Sequence, residues 1–393
     1  MDKKNKNPNV PNLRFAEYLD TWNNQRIDSN SLIVDGTHQT PNYITEGVKF
    51  VSVENIKNPY ESNKFISKED YNSYKIKPRI GDILMTRITA GIIGETYVIN
   101  KTEDLGYYVS LALIRPDNKY INSNFLSYYI NSPYFKHELD KRIIKVAFPR
   151  KINLNDIGEC KISIPSLIEQ EKIATLLNKI DRRIETQSKI IEDYEELKSW
   201  ITDQIFNREV STKKLKSLIF EVNQRNKLQL ALDVLTVSNK RGFIKQSEQF
   251  EERNVASEDT SNYKIVCVDQ YAYNPARINV GSIARLNNYE KGIISPMYTC
   301  FEINEEKLNP IYFDLFLKSK SFKSQLNKKL EGSVRQCLIF SGMLSMEIPL
   351  PSIQTQSVIA KRISMLDSNI KIENTYLVRL KQQKKYLLDN LFI

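Results

Sequence analysis

Residues 165–206 read PSLIEQEKIATLLNKIDRRIETQSKIIEDYEELKSWITDQIF, and residues 351–392 read PSIQTQSVIAKRISMLDSNIKIENTYLVRLKQQKKYLLDNLF; the second is the first rewritten without a gap, 186 positions later. Pro165 and Ser166 recur as Pro351 and Ser352, Gln170 as Gln356, Ile173-Ala174 as Ile359-Ala360, Asp181 as Asp367, Lys198 as Lys384, Asp203 as Asp389 and Phe206 as Phe392. The chain is therefore a tandem duplication, and each copy of this stretch is expected to close one half of it.

Alternating steps of four and three from Ile173 visit Leu177, Ile180, Ile184, Gln187, Ile191, Tyr194, Lys198, Ile201 and Ile205. This is a heptad seam with two polar interruptions, Gln187 and Lys198. The same walk from Ile359 meets its interruptions at the equivalent Glu373 and Lys384. Two seams that share even their breaks are expected to pack on each other. Ser166 followed by Glu169 has the form of a capping box, whereas Ser352 lacks the matching acid. At 1.5 Å per residue, about 40 residues give a rod of roughly 60 Å. A duplication that closes on itself about a pseudo-two-fold axis perpendicular to the rods would make them antiparallel.

The segments before each rod correspond more faintly. Asp82 aligns with Asp269, Gly94 with Gly281, Asn122 with Asn309, Ser132 with Ser319 and Phe135-Lys136 with Phe322-Lys323. Short apolar runs at 49–53, 82–85, 95–99, 108–115, 265–268, 282–286 and 298–303 read as strands. The aromatic-rich stretches 123–142 and 309–329 read as helices whose rings are core. The expected architecture is α+β: two similar globular domains (1–163 and 209–349), each followed by a long helix (164–208 and 350–393).

Charge and motif content narrow the function. With 57 Lys and Arg against 47 Asp and Glu, the formal charge is +10, which permits a polyanionic partner. Four scattered cysteines form neither a CxxC pair nor a disulfide framework. The basic, Asn-rich start and the lack of a long apolar run lead us to expect a cytoplasmic protein without a membrane partner. Two histidines, His38 and His137, stand in no ligand spacing, and a phosphate-binding GxxxxGK[ST] loop is missing. Asn58-Pro59-Tyr60 lacks the second proline of an adenine-methyltransferase motif, and Pro116-Asp117 with Lys119 lacks the second carboxylate of a metal nuclease. Neither a catalytic centre, a metal site nor a cofactor site is expected in this chain.

Polar and basic loops hold the remaining signal. Lys141, Lys145, Arg150 and Lys151 crowd the approach to the first rod and suit phosphate contacts. The equivalent place in the second half reads Ser333-Val334-Arg335-Gln336, where Arg and Gln have the forked geometry that reads guanine and adenine. Thr86, Arg87 and Thr89 follow one strand, and Asn274 and Arg277 follow its counterpart. Thr37 and His38 sit in the stretch DGTH at 35–38, and Asn239, Lys240 and Arg241 in SNKRGF at 238–243. All of these are candidate DNA-contacting residues.

This order of parts resembles the DNA specificity subunit of type I restriction-modification systems. The resemblance rests on the Pro-Ser-x-x-x-Gln-x-x-Ile-Ala openings at 165–174 and 351–360, on DGTH, on the Gly81-Asp82-Ile83-Leu84 run with its Thr86-Arg87 loop, and on the SNK run. The second half departs from it, with Val268-Asp269-Gln270-Tyr271 in place of Gly-Asp-Ile-Leu. What the resemblance implies is a non-catalytic subunit that binds double-stranded DNA, each domain reading one half of a bipartite asymmetric site while the paired rods set the spacer. It further implies two methyltransferase subunits that use S-adenosylmethionine on adenine, and restriction subunits that translocate and cleave with ATP and Mg²⁺. A coiled-coil scaffold for protein ligands is the alternative. A self-contained enzyme with unfamiliar motifs is a third possibility.

Overall fold

A computed structural model describes residues 9–207, 211–249, 259–332 and 336–393. The chain divides into two compact units: one takes the residues up to Ser188 together with Thr375–Ile393, the other takes Lys189–Asn374. The long helices run over Leu167–Phe206 and Ile353–Asn390, so each unit owns one globular domain and part of both helices.

The first unit is built on a four-stranded antiparallel sheet in the order Ser31–Asp35, Leu111–Pro116, Ile83–Thr86, Thr96–Val98. A smaller sheet pairs Val48–Val51 with Phe65–Ile66 on one side and, in parallel, with Leu105–Tyr107 on the other. In the second unit the same plan recurs. Its first sheet runs Ile219–Val222, Thr299–Ile303, Tyr271–Tyr273, Ile283–Arg285. Its second contains a parallel pair, Val234–Ser238 beside Lys291–Ile294.

The two aromatic stretches each divide into two helices, Ser123–Ile130 and Pro133–Asp140 in one unit, Pro310–Lys318 and Lys320–Lys329 in the other. The breaks fall where Ser132 and Ser319 turn their hydroxyls back to cap the following helix, accepting from the amides of Phe135 and Phe322. Most of their rings are core as expected, with Phe125, Tyr129, Phe135, Phe313, Phe316 and Phe322 all buried; Tyr134 is the exposed exception.

Both long helices enter both cores. In the first unit Ile173, Leu177 and Ile180, from the start of the first helix, share a cluster with Leu387, Leu391 and Phe392 from the end of the second. In the second unit the roles reverse, with Phe206 and Ile363 in one cluster. Start against end means that the helices pair antiparallel within each unit. The lysines that interrupt the seams explain themselves here, since Lys384 pairs with Asp181 in one unit and Lys198 with Asp367 in the other. Phe392 packs on Phe125 and Tyr129, with ring centroids 5.6 and 5.4 Å away, while Phe206 packs on Tyr312 and Phe316 at 5.0 and 5.5 Å. Each helix thus ends with its phenylalanine buried in the domain that it does not follow in sequence.

The repeated glutamine fastens each helix start to its own domain. Gln170, fully buried, accepts from the Asn122 amide at 2.9 Å and donates to the carbonyls of Tyr120 (2.9 Å) and Pro165 (3.0 Å). Gln356, equally buried, accepts from Asn309 at 2.8 Å and donates to Lys307 (3.0 Å) and Pro351 (2.9 Å). The capping box is only half formed. Ser166 accepts the Glu169 amide at 3.4 Å, but the Glu169 carboxylate turns away to a two-bond pairing with Arg14, at 2.8 Å for each bond.

Candidate nucleic-acid interface

Three loops converge in the first unit: 35–40, 86–95 and 143–152. The turn after Asp35 needs glycine, because a Cβ at Gly36 would lie 2.1 Å from the Tyr107 carbonyl oxygen. That close approach lets the Thr37 amide donate to Tyr107 and its carbonyl accept from Val109. His38 is exposed, with Nε2 3.0 Å from the Asp35 carboxylate. Thr89 accepts the Gly91 amide at 2.9 Å, and its short strand pairs antiparallel with Arg150–Lys151. Arg150 also donates to the Gly91 carbonyl at 2.7 Å. Arg150 and Lys151 are exposed. Lys141 and Lys145, also exposed, are paired locally with Glu138 and Asp140, which reduces the net charge that they present.

Two residues expected to face DNA are held inward instead. Thr86 is 1% exposed, with its hydroxyl donating to the Ile92 carbonyl and accepting from the Glu95 amide. Arg87 is 8% exposed; Nε donates to the Ile152 carbonyl, and Nη1 donates to the Val109 carbonyl at 2.8 Å and to the Asp35 carboxylate at 3.2 Å. Burial lowers its pKa from the ordinary arginine value, and Asp35 opposes the shift. Arg87 is therefore the strut that joins all three loops. Lys136 props the middle loop from below, with Nζ donating to the carbonyls of Gly94 (2.5 Å) and Ile93 (3.3 Å). Burial pushes that amine down to about 8, the Glu95 charge acting against it.

The second unit assembles its surface from other chain positions. Asn239, Lys240 and Arg241 form the tip of the hairpin joining Val234–Ser238 to Gly242–Lys245, in the sheet that contains the parallel pair. DGTH in the first unit instead follows a strand of the larger sheet, so the two stretches do not occupy equivalent places. The hairpin is tied to the next loop by Ser282, which donates to the Val237 carbonyl. That loop is in turn tied to the third by the Leu338 amide, which donates to Pro275. Arg277 is exposed. Asn274, expected at the surface, is 9% exposed, and its side chain accepts from the Ala276 amide to fix the turn. Gln336 is exposed beside the Glu331–Cys337 bridge. Ser333 and Arg335 lie outside the described residues.

Sequence reasoning missed the basic lining beside that hairpin. A pocket of about 420 Å³ brings Lys240 and Arg241 together with Arg285, Lys318 and Lys323. Arg285 is held by Asp269 at 2.7 Å and by Asp314 at 2.9 Å. The one available signal was the alignment of Lys323 with Lys136, yet the two copies act differently: Lys136 is folded onto loop carbonyls, while Lys323 is exposed. Among the described residues no helix is long and apolar enough to cross a membrane.

Comparison with known proteins gives these surfaces a context. The family model for the type I restriction modification DNA specificity domain matches the chain twice, over residues 23–196 and 212–382. The chain assigned as the MjaX specificity subunit of a type I restriction enzyme in Methanocaldococcus jannaschii is 24% identical over 365 residues, covering 82% of this chain and 80% of that one. The EcoBI specificity subunit of Escherichia coli is 27% identical over 161 residues, 40% of this chain and 33% of its own length. In fold, the crystal structure of the type I restriction-modification S subunit from M. genitalium superposes with a TM-score of 0.60 at 15% identity, over 98% of this chain and 99% of that one. A chain from a structural study of complex assembly and conformational transition in the type I system gives 0.59 at 13% identity, over 93% and 96%.

Proposed function

This chain belongs to the type I restriction modification DNA specificity family, the non-catalytic recognition component of such systems, and from that premise we propose how it divides its work. The domains at 1–163 and 209–349 each read one half of a bipartite, asymmetric double-stranded DNA site. The spacer segments 164–208 and 350–393 set the unread length between the halves. Two methyltransferase subunits, carrying S-adenosylmethionine, methylate adenine within the site chosen here. Restriction subunits supply ATP- and Mg²⁺-dependent translocation and cleavage, and the complex works in the cytoplasm.

The observation that carries this reading is the contrast between frame and loops. The four-stranded antiparallel sheet, the buried glutamine joint and the terminal phenylalanine recur in both units, whereas the loops are Thr37, His38, Thr89, Arg150 and Lys151 in one and Asn239, Lys240, Arg241, Arg277 and Gln336 in the other. One frame presenting two unlike polar surfaces suits two unlike half-sites. Exposed Arg and Lys provide the phosphate contacts that fix register, while Gln336, Asn239 and the arginines have the chemistry for base edges. Thr86, Arg87 and Asn274 support their loops from within, and Lys141 and Lys145 add charge at the rim. Ser333 and Arg335 are assigned to the second reader on sequence alone.

Methylome sequencing of a host with and without this gene, the methyltransferase subunit being present in both, is the test. Loss of N6-methyladenine at one split, asymmetric motif is the expected result. An unchanged methylome with an active methyltransferase would overturn the reading in favour of a protein-binding scaffold.

A further inference from the structure

The hairpin tip at 145–149 in the first unit has a composition that the phosphate-contact reading does not use. Its sequence from Lys145 is Lys-Val-Ala-Phe-Pro-Arg-Lys, an apolar tetrapeptide between cations. Val146 is 98% exposed and Phe148 88% exposed, the two most exposed large apolar side chains among the described residues. Apolar groups normally leave water when the chain offers them any neighbour. Here the base of the hairpin is clamped while its tip is not. Ile144 donates its amide to Lys151 at 2.8 Å, Ile152 donates to Arg87 at 3.0 Å, and Arg150 pairs in register with Thr89 and reaches the Gly91 carbonyl. The backbone thus holds the two side chains away from the core, next to the loop that carries Thr89.

We propose that Phe148, with Val146 beside it, is a wedge that inserts between adjacent base pairs of the half-site read by the first unit; this rests on the DNA-reading function proposed above. The occupant follows from the juxtaposition of two chemistries within seven residues. An apolar slot alone would suit a protein partner, and a row of cations alone would suit any polyanion. A DNA duplex offers both, stacked base faces flanked by phosphates within reach of Arg150 and Lys151. Wedges of this kind partly unstack one step and kink the helix. The cost is lowest at flexible pyrimidine–purine steps such as TA and CA. Phe148 would therefore contribute sequence preference at a step where no base edge is read.

The test uses the full chain assembled with its methyltransferase subunits and duplexes carrying the motif found by methylome sequencing. 2-Aminopurine is walked through the first unit's half-site, and fluorescence and Kd are measured for the wild type, Phe148→Ala and Phe148→Leu. The wild type is expected to raise the fluorescence at one step and to bind more tightly when that step is mismatched. Phe148→Ala is expected to abolish the rise, to lose roughly ten- to a hundredfold in affinity, and to become indifferent to the mismatch; Phe148→Leu retains part of each effect. With motif preference intact, affinity within twofold and no step opened by the wild type, the wedge is overturned while the DNA-reading function stands. A complex that loses its methyltransferase subunit on Phe148→Ala, with no change at any base step, makes the tip a protein contact and also overturns it. A wild-type complex without motif preference overturns both proposals.

Discussion

Replacing Gln170 by alanine tests how the long helix is fastened to its domain. The side chain is fully buried and makes three hydrogen bonds, all to main-chain groups: the Asn122 amide, the Tyr120 carbonyl and the Pro165 carbonyl. Each bond contributes about 1 kcal/mol net, and a buried partner left unsatisfied costs about 1–3 kcal/mol. Solvent reaching the Tyr120 end offsets part of the loss, so the expected cost is about 2–4 kcal/mol. A unit of this size has an m-value near 2–3 kcal/mol/M in urea, which converts that cost to a midpoint shift of roughly 1 M. Because two units unfold, the assay follows each separately, by hydrogen exchange at increasing urea. Gln170→Ala should destabilise the first unit alone, and Gln356→Ala the second by a similar amount. Gln170→Glu sharpens the argument: its carboxylate can still accept from Asn122 but meets two carbonyls with no proton to offer. It should be worse than alanine at pH 7 and recover as the pH falls and the acid protonates. A loss under 0.5 kcal/mol for Gln170→Ala, or a glutamate variant as stable as wild type at pH 7, would refute the reasoning.

Four further outcomes are expected. Phe392→Ala should cost the first unit about 3–5 kcal/mol and Phe206→Ala the second unit the same, read by the same unit-resolved unfolding. Lys136 has its amine pushed down to about 8 by burial; between that value and the unfolded 10.5 the unfolded chain holds a proton that the folded one has shed, so stability should rise with pH across this window. Urea midpoints from pH 7.5 to 10.5 should show this rise in the wild type and lose it in Lys136→Met. Arg87→Ala, which strips a buried strut and leaves the Ile152 and Val109 carbonyls without its donors, should cost about 2–3 kcal/mol of stability and loosen DNA binding with it, whereas Arg277→Ala should weaken binding with stability within 0.5 kcal/mol. One heptad inserted into each helix adds about 10.5 Å, close to three base-pair steps; methylome sequencing should return both half-sequences unchanged with an altered spacer.

The sequence made the helices legible because a heptad seam meets one simple demand at eight of ten positions and the duplication states it twice. The sheets were harder to read. Strands such as Tyr271–Tyr273 and Ile283–Arg285 have three residues each, too few for alternation to stand out, and their pairing joins distant segments. The division at Asn131-Ser132-Pro133 was available in principle, since serine before proline is a helix start, but the aromatic periodicity continued through it. Side-chain direction was the least legible property. Arg87 reads as an exposed arginine in a polar loop, yet its partners Asp35 and Ile152 are 52 and 65 positions away. Glu169 likewise fits a local capping box until Arg14, 155 positions distant, claims it. The pocket lined by Lys240, Arg285, Lys318 and Lys323 draws on three separated segments and has no linear signature at all.

The pattern of repetition itself has a physical explanation in the pairing. Asp181 meets Lys384 in one unit and Asp367 meets Lys198 in the other, so each of these four residues works beside a residue from the opposite copy of the motif. A change in either helix alters a partner contributed by the other, and Gln170, Gln356, Phe206 and Phe392 are bound by the same logic because each fills an equivalent place in a like core. Loop residues such as Arg150, Lys151, Arg241 and Arg277 have no counterpart of this kind inside the protein. Their side chains are exposed, and what they must fit lies outside it. Similarity between the two halves therefore marks where the chain contacts itself, and dissimilarity marks where, on our reading, it contacts two different DNA sequences.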